Sequence, residues 1–335
     1  MKVVQTIAGG IFLLAVVGYA GYLTYNNTAA QRIGYSDTSE TFNTEYWTAQ
    51  IGAQGAPAAY ILFKERNQEA PVQRQHFAAH VFGSLIARSL GASGVTVCDN
   101  TFGFGCYHGL FAQIIAEGGI SYIQTLDEAC IQAFGTPGGC QHGIGHGILE
   151  YVGYQHIEKA LELCKSTTQK VPLIGCTSGV FMAYNTPLKS AGDALSITVR
   201  DPDPENPLAP CLEVDEEYRA SCYYERGQWA FSRWSSDTSK MFAACDEVSG
   251  TNRALCFEGI GTLGTGYYNY DKEKARALCA AFPRNDEVAC RAGVSWAFFA
   301  DPPYRSEADT ICKVGTSAEK KECLGLADLT LERTH

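Results

Sequence analysis

Fourteen cysteines, arranged as seven pairs on a nearly constant period, constrain this 335-residue chain more tightly than any other feature. The pairs are Cys98/Cys106, Cys130/Cys140, Cys164/Cys176, Cys211/Cys222, Cys245/Cys256, Cys279/Cys290 and Cys312/Cys323, with separations of 8, 10, 12, 11, 11, 11 and 11 residues. Their first members follow at steps of 32, 34, 47, 34, 34 and 33 residues. A period of about 34 is the length of a helix–turn–helix repeat, so an all-α array of about seven units is expected. The one long step coincides with residues 186–210, where Pro187, Pro202, Pro204, Pro207 and Pro210 mark a loop inserted between units.

The local sequence agrees with that period. Helix-forming stretches precede the first cysteines, as in IEKALEL before Cys164 and KEKARAL before Cys279. Apolar stretches rich in small residues follow the second, as in CTSGVFMAY, CFEGIGTLGTGYY and CRAGVSWAFF. Each unit therefore reads as helix A, a short connection and helix B, with its cysteines at the end of A and the start of B. Gly109, Gly143, Gly179, Gly259 and Gly293 all stand three residues after a second cysteine, whereas Glu225 and Leu326 are the exceptions. Glycine destabilises a helix by about 1 kcal/mol relative to Ala, so its recurrence predicts that helix B packs closely against a neighbour there.

Residues 1–25 differ from the rest. After Lys2 the run VVQTIAGGIFLLAVVGYAGYLTY carries no charge, and the next charged residue is Arg32. Roughly 20 apolar residues span a bilayer, and the positive end stays in the cytoplasm. The run therefore reads as a transmembrane signal anchor, or as a signal peptide if cleaved near Gly18-Tyr19-Ala20. Either way the body lies outside the cytoplasm: periplasmic or at the cell surface when anchored, secreted when cleaved. Residues 26–70 form a polar tether and lead-in, 71–185 the His-rich N-terminal repeats, 186–210 the inserted loop and 211–335 the C-terminal repeats. A net charge of −10 with no basic block excludes a nucleic-acid partner.

Export favours oxidised cysteines, and separations of 8–12 exceed the two to four residues between paired zinc-binding cysteines. The insertion lengthens the distance between pairs and leaves every pair intact, which favours bridges within units. On period, pair spacing and the Gly after the second cysteine, the chain resembles secreted bacterial cysteine-rich repeat proteins related to tetratricopeptide arrays, over about 71–335. The resemblance is one of architecture. It implies a right-handed solenoid of disulfide-stapled helix pairs, with a concave face that binds a peptide or protein.

Six of the seven histidines lie between 76 and 156, and five form a pattern. His76 and His80 are four residues apart, as are His142 and His146, and Glu150 follows by four more. His108 and His142 both stand two residues after a second cysteine. His76 precedes His108 by 32 residues, which predicts that it fills the same position in a cysteine-free first unit. Neighbouring repeats would then gather His76, His80, His108, His142, His146 and Glu150 into one site. Imidazole and carboxylate donors suit a transition metal such as Zn, Fe, Cu or Ni. Ser178, Tyr224, Glu258 and Ala292 occupy the histidine position in later units, so the repeat does not itself require histidine. His156 and His335 fit no pattern.

No nucleophile elbow, HExxH, P-loop or haem-attachment motif is present. The expected function is a membrane-anchored binding or scaffold protein with a His-rich metal site. The alternative is a metal-dependent hydrolase or oxidoreductase, with Glu150 as ligand or general base. The aromatic segments 222–234 and 266–271 read mainly as helix-packing residues.

Overall fold

The computed structural model describes residues 42–332 apart from 135–137, 169–172, 174, 192–193, 236 and 302. The expected anchor and most of the tether lie outside the described residues. Among those described, no helix is long and apolar enough to cross a membrane.

Fifteen α-helices make up the described chain, with one short hairpin. They are α1 (Thr44–Gln54), α2 (Ala56–Asn67), α3 (Val72–Leu90), α4 (Gly105–Gly118), α5 (Ile123–Phe134), α6 (Gly138–Val152), α7 (Ile157–Cys164) and α8 (Cys176–Asn185). After the insertion come α9 (Glu216–Trp234), α10 (Thr238–Asp246), α11 (Gly250–Tyr267), α12 (Lys272–Ala280), α13 (Arg284–Ala300), α14 (Ala308–Cys312) and α15 (Ser317–Glu332). Residues 188–198 cluster apart from the helical body, which takes the described residues of 38–187 and 199–335. Within that small unit β1 (Leu188–Ala191) pairs antiparallel with β2 (Ala194–Ile197), inside the segment expected to be a loop.

All seven expected disulfides form, each within its own unit. In the N-terminal units Cys98 joins Cys106, Cys130 joins Cys140 and Cys164 joins Cys176, with Cα–Cα distances of 5.5, 5.8 and 5.6 Å. After the insertion Cys211 joins Cys222, Cys245 joins Cys256, Cys279 joins Cys290 and Cys312 joins Cys323, at 5.5, 5.9, 5.4 and 5.5 Å. No cysteine among the described residues is free. Bridges of this number suit an oxidising, extracytoplasmic or secreted setting. Closing a loop of about a dozen residues stabilises by roughly 2–4 kcal/mol. Replacing Cys245 and Cys256 together by Ala is therefore expected to lower stability by about that amount, read from the midpoint of urea unfolding.

The helix boundaries correct the expectation that every second cysteine starts helix B. It holds in the N-terminal units, where Cys106, Cys140 and Cys176 lie in the first turn of α4, α6 and α8. Gly-rich or Pro-containing segments (TFGFG, GTPGG, VPLIG) precede them and delay the helix. It fails in the C-terminal units, where Cys222, Cys256, Cys290 and Cys323 lie about two turns inside α9, α11, α13 and α15. No Gly or Pro stands in the five residues before the last three (TNRAL, NDEVA, AEKKE), so helix B starts before its cysteine. Helix A also varies. Before Cys98 it shrinks to a six-residue 3₁₀ turn over Gly91–Thr96, and no α-helix precedes Cys211 within its unit.

The expected close approach is present along successive B helices. A Cβ on Gly109 would strike the carbonyl of His80, on Gly179 that of His142, on Gly259 that of Tyr224 and on Gly293 that of Glu258. A second glycine set faces the other way: Gly83, Gly145, Gly227 and Gly261 abut the carbonyls of Cys106, Cys176, Cys256 and Cys290. Backbone thus lies on backbone from α3 to α4, α6 to α8, α9 to α11 and α11 to α13. At Glu225 the first set is broken, but Gly227 of the same helix keeps the second contact, so α9 still seats on α11.

Aromatic residues serve mostly as core, as expected. Tyr223, Tyr224, Trp229 and Phe231 are buried, whereas Tyr267 is exposed. At the N-terminal end of the body Trp47 of α1 packs edge-on against Phe63 of α2 and Phe82 of α3, with centroids 5.2 and 5.5 Å apart.

Candidate metal centre

The glycine contacts fix the register of the histidines and correct one expectation. Gly109 meets the carbonyl of His80 just as Gly179 meets that of His142. His80, and not His76, is therefore the residue equivalent to His108 and His142. Helix α3 has no cysteine to mark its register, and the shortened 3₁₀ connection brings the step down from 32 to 28 residues. His76 lies one turn earlier on α3, on the same stripe.

All five histidines of the pattern come together from α3, α4 and α6. His76 Nε2 is 3.1 Å from His80 Nε2, and His80 Nε2 is 3.1 Å from His108 Nδ1. His146 Nε2 is 3.3 Å from His142 Nε2. The His108 ring lies against both groups, its centroid 4.9 Å from His80, 5.0 Å from His142 and 4.4 Å from His146. Two ligand sets result, His76/His80/His108 and His108/His142/His146, each with its donor atoms within 4.8 Å of one another. Glu150, expected among the ligands, belongs to neither set. One helical turn beyond His146 carries it about 6 Å further along the α6 axis. No cysteine enters either set. Cys106 and Cys140, each two residues before a histidine of these sets, are committed to Cys98 and Cys130, and Cys323 lies in the terminal unit bridged to Cys312.

The rings at the two ends are held by protein partners. His76 Nδ1 donates to the carbonyl of Phe102, 2.8 Å away. That carbonyl is presented by a left-handed turn in which Phe102, Gly103 and Phe104 have φ of 57°, 61° and 64°. Two bulky residues in this region are strained, and the strain sits beside the cluster. At the other end, Ser178 of α8 donates to Glu225 Oε1 of α9 at 2.6 Å and lies 3.0 Å from His142 Nδ1. With its one proton given to Glu225, Ser178 accepts from His142 Nδ1–H. His76 and His142 therefore both turn a bare Nε2 lone pair into the cluster. Gln228 also donates to Glu225 Oε1, at 3.1 Å.

Burial keeps the cluster neutral. Loss of water is the main cause that lowers all five pKa values, His142 to about 3 and His80, His108 and His146 well below the ordinary range. Repulsion between the rings adds to it. The same desolvation raises Glu150 to about 7 and Glu225 to about 8, the latter opposed by the Ser178 hydrogen bond.

Neutral imidazoles carry one proton each, and one proton per ring cannot satisfy this geometry. If His80 Nε2–H donates to His76 and His108, the His108 proton sits on Nε2, which is buried without a hydrogen-bond partner. If His108 Nδ1–H donates to His80, two bare lone pairs of His76 and His80 face each other at 3.1 Å. Each arrangement leaves a buried group mismatched.

Sequence reasoning finds the histidines but gives no role to Ser178 and Glu225. Their signal is present as departures from the repeat: Ser178 where earlier units have histidine, and Glu225 where most have glycine. The chain matches no protein-family model, no curated protein and no solved structure.

Proposed function

We propose that this is an extracytoplasmic helical-repeat protein, held to the membrane by residues 1–25, that binds a transition metal in its buried histidine cluster. The proton mismatch among His76, His80 and His108 carries the reading, because a metal ion accepts lone pairs and removes the conflict. The spacing supports it as well. Two nitrogens bound at about 2.05 Å and subtending a tetrahedral or trigonal angle lie roughly 3.3–3.6 Å apart, close to the 3.1–3.3 Å between these rings. The Ser178–Glu225 pair behind His142 is the kind of hydrogen-bonded support that fixes a ligand's tautomer and raises its basicity. All-imidazole donors suit Zn, Cu, Fe or Ni.

The backbone seating of successive B helices supports a solenoid, whose concave face would take a peptide or protein. The burial of the cluster favours holding a metal over catalysis by it. A hydrolase or oxidoreductase reading keeps one observation, the raised pKa of Glu150 beyond His146, which would suit a general base near neutral pH. Elemental analysis of untagged protein purified from the oxidising compartment tests the proposal. Stoichiometric Zn, Cu, Fe or Ni is expected. Protein that stays metal-free after supplementation with each ion would refute it.

A further inference from the structure

His108 is the only residue shared by the two ligand sets. Its Nδ1 lies 3.1 Å from His80 Nε2, on the side of the first set. Its Nε2 is buried and has no hydrogen-bond partner. The same ring lies 5.0 Å from His142 and 4.4 Å from His146, the other members of the second set. An imidazole with one nitrogen committed to one group, the other nitrogen unpartnered and a second donor group alongside has a bridging ligand's position.

We infer that the centre is dinuclear, with His108 joining two transition-metal ions through its two ring nitrogens. The inference rests on the metal-binding reading above and deepens it. His76 and His80 complete one ion's protein donors, and His142 and His146 the other's. A ring about 2.2 Å wide between its nitrogens, with metal–nitrogen bonds of about 2.0 Å, would set the ions roughly 6 Å apart. Neutral His108 has a single ring N–H, so binding the second ion displaces that proton to solvent and leaves a bridging imidazolate. The bridge's negative charge lowers the repulsion between the two cations.

Copper(II) provides the test, since the protein has no free thiol among its described residues to reduce it. Untagged, fully oxidised protein would be freed of metal, titrated with copper(II) sulfate and analysed by elemental content and low-temperature electron paramagnetic resonance. Two coppers per chain are expected, with an integrated signal far below two spins because exchange through the imidazolate pairs them. The His146→Gln variant, checked for native circular dichroism and intact bridges, is expected to hold one copper with its full one-spin signal. One copper with one spin in the native protein would remove the bridge and leave the metal site standing. Two coppers with two full spins would mean independent ions and would also overturn the bridge. No copper at all would remove the bridge together with the reading beneath it.

Discussion

Replacing Gly179 by Ala is expected to destabilise the helical body by about 2–3 kcal/mol, whereas the same change at Gly52 is expected to stabilise it by roughly 0.5–1 kcal/mol. Both glycines lie inside helices, so helix propensity alone favours Ala at each. Their surroundings reverse the sign at one of them. A Cβ on Gly52 meets nothing within 4 Å. A Cβ on Gly179 would press on the carbonyl oxygen and carbon of His142, inside the 3.0 Å limit of real contacts, and crowd the amide of His146 at 3.2 Å. These are backbone atoms, so no rotamer can relieve the clash and α6 must move away from α8. Gly145 of α6 reciprocates on the carbonyl of Cys176, so both helices lose their seat together. Urea unfolding of the two variants with disulfides intact measures the difference. Equal midpoint shifts of the same sign would show that the glycine contacts do not set the packing.

That contrast also shows which parts of the molecule can be read from sequence. The disulfide partners are legible because the 13-residue excess in one step stretches the distance between pairs and not the pairs themselves. The close approach of B helices is legible from Gly109, Gly143, Gly179, Gly259 and Gly293, since a helix-disfavouring residue repeated at one position needs a steric reason. The opposing set, Gly83, Gly145, Gly227 and Gly261, is not, because only three of its members stand five residues after a second cysteine, and Phe111, Phe181 and Ser295 take that position in other units. Where helix B begins is also hidden by the constant pair spacing. Cys140 and Cys323 hold the same place in their units, yet the glycines before Cys140 and the helix formers before Cys323 put one in a first turn and the other well inside. The register of α3 fails for a related reason. A spacing borrowed from cysteine-bearing units cannot foresee that one A helix collapses to a 3₁₀ turn, so it puts His76 where His80 stands. Glu150 follows the helical stripe of His142 and His146 correctly. One further turn, however, carries it about 6 Å along the helix axis, and His108 groups only with the first two positions.

His108→Leu is expected to abolish metal binding and yet leave the metal-free protein as stable as the native one or about 1 kcal/mol more stable. The two halves of this result follow from the same atoms. His108 is shared by both ligand sets, so its loss leaves two donors in each and should weaken affinity by well over the ~100-fold that removal of a mere supporting group brings. In the metal-free protein, however, His108 is the ring that makes the proton count fail. Without it, His80 Nε2–H donates to the bare Nε2 of His76 alone, and the buried unpartnered His108 Nε2 disappears. Leucine fills similar space without a polar atom to desolvate. A histidine retained only for packing gives the opposite pattern, a loss of about 2 kcal/mol or more with metal content unchanged. His156→Ala provides the baseline, since that exposed residue precedes α7 outside both sets and should change neither quantity. Metal titration and urea unfolding of chelator-treated protein read the two halves separately. A metal-free His108→Leu protein less stable than the native chain, with native metal affinity, would make the cluster part of the core and end the case for a metal centre.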